Sequence, residues 1–146
     1  PDLTAEENLL FYARMYDVTD HASRITEVLQ LVGLENRRKD LVRTFSRGMQ
    51  QRLAIGRAVI HDPEVMLFDE PYTGLDQDAS EMLDDVLRSV AAEGRTVVMT
   101  SHDLARAEDI ATRFDILSRG VITASTTGKQ LKNTNLLSYY KQALAE

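Results

Sequence analysis

Thr4 stands three residues before Glu7, and Leu9, Leu10 and Phe11 follow at once. A hydroxyl residue and an acid at that spacing each satisfy a free backbone donor at a helix start, so a helix is predicted from about Ala5 to Tyr16. The polar stretch from Asp17 to Ala22 breaks the pattern. Ile25, Val28, Leu29 and Val32 then recur at helical spacing until Gly33, which allows the left-handed turn that closes a helix. Asn36 to Asp40 reads as a charged connector. Ser46 is placed to cap a third helix from Arg47 to about Ile60, which stops ahead of Pro63 because proline disfavours helical backbone at Asp62.

Beyond Pro63 the periodicity changes. Val65 to Phe68 is a continuous apolar run of strand length, which predicts a strand covered on both faces, as in a parallel sheet. Met82, Leu83, Val86, Leu87 and Val90 mark a helix that Gly94 ends, and Thr96 to Thr100 gives a second apolar strand. Leu104, Ala107, Ile110 and Ala111 predict a short helix. Phe114 to Leu117 and Val121 to Ala124 flank an Arg119-Gly120 turn and read as a hairpin. Two buried strands joined by a helix form a right-handed crossover unit, so the expected class is α/β, with a helical subdomain in front. Residues 1–60 are assigned to that subdomain, and 61–146 to the α/β core with its terminal hairpin and helix. No internal repeat or low-complexity segment stands out.

Composition narrows the partners. A chain of 146 residues buries one modest core. Pro1 leads directly into a helix start with no initiator methionine, so the sequence reads as a piece cut from a longer one. Twenty-three acidic against seventeen basic residues give a formal charge of -6, which argues against affinity built on neutralising phosphate backbones, and nucleic acid is not expected as a partner. With no cysteine there is no disulfide framework, thiol nucleophile or sulfur-ligated metal. No apolar run approaches the roughly 20 residues that cross a bilayer. Work at a membrane would therefore need another subunit to provide the span.

Asp69 and Glu70 fall at the C-terminal end of the first apolar strand, where open α/β sheets bind ligands. Adjacent strand residues point to opposite faces, so the two carboxylates are free to take different tasks. On the pair alone the simplest reading is an acidic strand end at the surface. The segments around it change that balance. FSRGMQQR at Phe45 to Arg52 and VMLFDEP at Val65 to Pro71, with Tyr72-Thr73-Gly74-Leu75-Asp76 and His102 downstream, resemble the ATP-binding-cassette family of transporter ATPases. The likeness covers nearly the whole chain and implies the C-terminal part of a P-loop NTPase-type nucleotide-binding domain, its RecA-like core preceded by the helical subdomain.

The resemblance implies a division of labour. Asp69 holds Mg²⁺ and Glu70 orients or deprotonates the attacking water, the two acidic functions that nucleotide hydrolysis requires. Ser46, Arg47, Gly48 and Met49 open a helix whose first amides face the γ-phosphate of ATP held by a second ATP-binding subunit in a head-to-tail dimer. The physics of a helix mouth suits this: about half a positive charge, unpaired N–H groups and a glycine that permits close approach. Arg47 adds a full charge. The usual family wording has glycine where Arg47 stands and glutamine where Met49 stands, which removes any polar side-chain contact from position 49. Asp76 touches the opposing subunit; the alternative is that Asp76 or Asp78 only caps the following helix. His102 contacts the γ-phosphate, whereas His21 and His61 have no comparable setting.

A complete engine of this kind carries a GxxxxGK[ST] loop, and none is present. Gly128-Lys129 fails as a remnant, because Thr123 replaces the first glycine and Gln130 the hydroxyl residue. Alone, the chain is expected to bind ATP weakly or not at all. The family likeness implies transmembrane permease partners and a place on the cytoplasmic face of the inner or plasma membrane, with Leu3 to Tyr16 where the partner docks; the alternative for that segment is an ordinary solvated helix. The wording of the signature is similar to haem exporters of cytochrome c maturation and to multidrug exporters, with the former favoured. Two other classes stay open: the ATPase heads of DNA-repair and chromosome-maintenance proteins, which need a long coiled coil not apparent here, and a non-enzymatic fragment.

Overall fold

In a computed structural model, residues 2–131 and 134–144 are described; Pro1, on which the reading of the chain's start rests, lies outside them. The first three helices are α1 (Ala5–Met15), α2 (His21–Leu31) and α3 (Arg47–Val59). Thr4 and Glu7 form the expected reciprocal cap on α1. Helix α2 starts a turn earlier than its apolar pattern, because Asp20 accepts the Ser23 amide at 3.2 Å and supplies a cap among the polar residues. It closes at Gly33, whose φ of +67° is the left-handed value a helix end of this kind uses. Helix α3 ends at Val59, ahead of Pro63 as expected, and Asp62 before the proline lies outside helical backbone at φ +59°.

The three helices meet at Gly56. A methyl group there would stand 3.1 Å from Val28, 3.6 Å from Leu9 and 3.7 Å from Val32, so α3 approaches α1 and α2 as closely as its backbone allows. Leu9, Val28, Leu29, Val32 and Leu53 are fully buried around that contact. Residues 38–42 are tied back to the start of α1 through amide bonds from Ala5 and Glu6 to Asp40 and Arg38. Glu6 also pairs with Lys39 and, at 2.7 Å, with Arg38, and these bonds, that from Lys39 foremost, hold its carboxyl below the usual range.

Strand β1 (Val65–Asp69), helix α4 (Gln77–Ala92) and strand β2 (Thr96–Thr100) follow as the expected crossover, with β1 and β2 adjacent in one sheet. The fold is α/β with helices and parallel strands. One expectation fails. Met66 is buried, but Val65 is 56% and Leu67 77% exposed, so β1 is covered on one face only. An unbroken apolar run looks the same whatever lies opposite its second face.

The chain forms two compact units, the first ending at Met99 and the second starting at Thr100. The second holds α5 (Leu104–Ile110), the antiparallel pair β3 (Arg113–Ser118) and β4 (Val121–Thr127), and α6 (Leu136–Ala143). Arg119 (φ +50°) and Gly120 (φ +83°) make the tight hairpin turn that matches strand twist. The register slips between Ile116 and Leu117, where Thr123 is the extra residue on β4. Gly128 and Lys129 sit in the turn after β4, with no helix opening at that point, in keeping with their rejection as a phosphate loop.

Candidate functional site

Strand β1 ends at Asp69, which is exposed, and the chain turns at Glu70 with φ +47°. The left-handed region is sparsely populated for a side-chain-bearing residue, and Glu70 also precedes a proline, which restricts it further. The Thr73 amide closes the turn on the Glu70 carbonyl at 3.0 Å. Strand alternation therefore describes Asp69 but not Glu70, whose orientation is set by a turn. Strained backbone held in place at a strand tip is a pattern concentrated at functional sites. The half-exposed Glu70 leaves the tip open to solvent.

Helix α3 begins just after Ser46, whose Oγ accepts the Met49 amide at 3.2 Å. That bond commits the Met49 N–H to the cap. The Arg47 and Gly48 amides remain as the donors of the first turn, the group that a helix mouth offers to an anion.

The loop after β1 lies against this mouth. Asp76 is the cap of α4, with Oδ1 accepting the Ala79 amide at 2.8 Å, while Asp78 sits inside the first turn. A side chain at Gly48 would begin 3.4 Å from Asp76 Oδ2 and 4.0 Å from Ser46 Oγ. Ser46, Gly48 and Asp76, far apart in sequence, thus share one place. Three contacts in this region carried no sequence signal. The Gln51 amide reaches the Thr73 carbonyl at 3.4 Å, the Arg47 guanidinium lies over Gly74, and the Tyr72 hydroxyl donates to Asp84 Oδ1 at 2.7 Å. The last contact gives Tyr72 a local role of its own, anchoring the loop to α4. Pairing a loop tyrosine with an acid one turn and more into the next helix is recognisable only when both positions are seen together.

Asp69, Glu70 and the α3 mouth belong to the first compact unit and His102 to the second. His102 is exposed in the segment after β2. Its neighbour Asp103 caps α5 by accepting the Arg106 amide at 3.1 Å, and the Asp103 amide donates to Ser101 Oγ at 3.1 Å. The loop carrying His102 is thereby fixed at both sides.

No group of three or more histidine, cysteine and acidic residues able to hold a metal occurs among the described residues. A strand-end carboxylate such as Asp69 suits Mg²⁺, which keeps several waters and shares its coordination with substrate phosphates. Among the described residues no helix is long and apolar enough to cross a membrane.

Residues 1–73 match the family model described as ABC transporter. The linearmycin resistance ATP-binding protein LnrL of Bacillus subtilis (strain 168) is 38% identical over 133 residues, covering 90% of this chain and 43% of that protein. The Nod factor export ATP-binding protein I of Burkholderia pseudomallei (strain 1710b) is 38% identical over 122 residues, 82% of this chain and 40% of the relative. A solved structure described as the ATP binding subunit of an ABC transporter superposes with a TM-score of 0.84 at 29% identity, covering 97% of this chain and 62% of the other. The chain spans about two fifths of the length of these curated relatives.

Proposed function

The chain belongs to the ABC transporter family, and from that premise we propose that it is the C-terminal part of an ATP-hydrolysing subunit that drives an exporter through partner transmembrane subunits. The observation that carries the reading is the meeting of the α3 mouth with the loop after β1, where Asp76 lies beside Gly48. A helix N-terminus and an acidic strand tip joined by one short loop are the elements that phosphoryl chemistry uses.

The residues divide the work as follows. Ser46, Arg47, Gly48 and Met49 face the γ-phosphate of ATP held by a second ATP-binding subunit, with the Arg47 and Gly48 amides as donors and Ser46 keeping the helix mouth open in shape. Asp69 holds Mg²⁺, which when bound neutralises charge on the phosphate oxygens. Glu70 accepts a proton from, or orients, the attacking water. His102 donates to a phosphate oxygen, and Asp76 meets the opposing subunit in a head-to-tail dimer while it caps its own helix.

Helix α1 supports a membrane partner. Phe11, Met15 and Leu3 are exposed, and with Leu10, Glu7 and Arg14 they line a depression of about 480 Å³. An apolar patch rimmed by charge marks an interaction surface; with the family's membrane partners, it supports our placing the subunit on the cytoplasmic face of the inner or plasma membrane. The exported cargo is best read from relatives. The two described above are named for linearmycin resistance and Nod factor export, which favours an exporter and lends no support to the haem cargo that the signature wording favoured.

The test is Glu70→Gln in the whole subunit with its membrane partners. Hydrolysis should fall by roughly a thousandfold while ATP-dependent dimers persist. Turnover within a few fold of the unaltered protein would remove Glu70 from the role given to it.

A further inference from the structure

Arg47 is an electrostatically awkward first residue for a helix, since a cation there opposes the positive end of the helix dipole. An anion at the mouth would compensate, but the guanidinium lies elsewhere. A methyl group at Gly74 would stand 2.8 Å from Arg47 Nη2 and 3.4 Å from its Cζ, so the guanidinium fills the space a side chain would occupy. Gly74 suits the place in two ways: its φ of +78° favours glycine, and its missing side chain leaves the room in which the guanidinium lies. Gln51 lies four residues further along α3, on the same face as Arg47. Its Nε2 is 3.4 Å from the Thr73 carbonyl and 3.5 Å from the Gly74 Cβ position, while its Oε1 is buried with no hydrogen-bond partner. Two side chains from one helix face thus grip two consecutive loop residues. Asp76 Oδ2 beside Gly48 makes a third point of contact two residues on.

We propose that Arg47, seated on Gly74, is a positioning residue that clamps loop 72–76 to the first turn of α3, so that Asp76 and the helix mouth meet the opposing subunit as one rigid piece. The proposal rests on the ATPase reading above, and it moves the main task of Arg47 from phosphate contact to loop placement. Both residues are exposed. A surface contact of this kind adds little to folding, so its loss is expected in kinetics and loop motion.

The experiment uses the whole subunit with its membrane partners and compares Arg47→Ala, Gly74→Ala, the double variant and Arg47→Lys. Each alanine variant is expected to lower kcat about tenfold with KM for ATP changed by less than about twofold, and the double variant to be no worse than the poorer single one, the signature of coupled residues. Arg47→Lys is expected not to restore turnover, because an ammonium cannot lie flat on the glycine. Without nucleotide, the amides of 72–76 should exchange hydrogen about threefold faster or more in Arg47→Ala. Losses that multiply in the double variant, rescue by lysine, or loop exchange indifferent to Arg47→Ala would overturn the clamp. If Gly74→Ala melts early, the exchange comparison between Arg47→Ala and the unaltered subunit decides alone. Failure of the ATPase reading would appear separately, as an unaltered subunit without turnover or a Glu70→Gln variant that keeps it.

Discussion

The carboxylate of Asp76 lies against Gly48 while it caps α4: Oδ1 takes the Ala79 amide at 2.8 Å, and Oδ2 stands 3.4 Å from where a side chain at Gly48 would begin. One acid therefore reports on two helix starts, and the two alternatives open for it in the sequence, cap or functional loop residue, are compatible.

The first prediction separates those tasks. Asp76→Asn keeps a capping oxygen and should melt with the unaltered protein, whereas Asp76→Ala should lose about 1 kcal/mol. Gly48→Ala should melt no lower, since 3.4 Å is ordinary contact and alanine is the better helix former. In the whole subunit it should nonetheless lower ATP turnover roughly tenfold or more, because the backbone can no longer approach a phosphate closely. Unchanged turnover in Gly48→Ala would show that no such approach is used.

A second prediction concerns the helical core. The tightest contact at Gly56 is 3.1 Å to Val28, so Gly56→Val must push α3 away from α1 and α2. A loss of about 1–3 kcal/mol is expected from overpacking, read as a lower denaturant midpoint. Equal midpoints would mean that the three helices are less closely joined than their backbone separation implies.

The third concerns pH. His61 stacks on Tyr16, with ring centroids 4.0 Å apart and planes 16° from parallel, and its Nδ1 is buried with no hydrogen-bond partner. Burial holds its pKa below the ordinary 6.5, with Asp62 opposing and Arg24 adding to the effect. The folded state thus prefers the neutral ring, so the stability His61 contributes is complete above pH 6.5 and is lost as pH falls from there through the lower folded value. His61→Phe keeps an aromatic partner for Tyr16 and should flatten the decline in urea midpoint between about pH 7 and pH 5. A decline as steep as before would assign the pH dependence to other groups.

The fourth returns to the nucleotide. With no GxxxxGK[ST] loop in the sequence, titration of ATP with Mg²⁺ into this chain alone should release no heat of binding in the micromolar range. Micromolar affinity would mean that the α3 mouth and strand tip hold nucleotide without a phosphate loop.

Much of the local structure was legible because it depends on near neighbours. The Thr4–Glu7 cap, the Ser46 cap, the Gly33 and Gly94 helix ends and the Arg119-Gly120 turn each follow from residues within a few positions, and each is observed. The exposure of Val65 and Leu67 was not legible, since a strand's composition does not say how many of its faces the remaining chain will cover. The site divides in the same way. Asp69-Glu70 and Ser46 to Gly48 stand out as local motifs, but the positive φ of Glu70 comes from a turn whose closure onto Thr73 no composition rule reveals.

By itself the sequence determined the order of helices and strands, the α/β class and the family, because capping, periodicity and short motifs are properties of contiguous residues. Only the tertiary structure decided that Arg47 lies on Gly74, that Asp76 stands beside Gly48, and that Tyr72 reaches Asp84. Those pairs are separated by 27, 28 and 12 positions, and which distant side chains meet is fixed by how helix α3 packs and where the loop after β1 returns, information that no single stretch of chain contains.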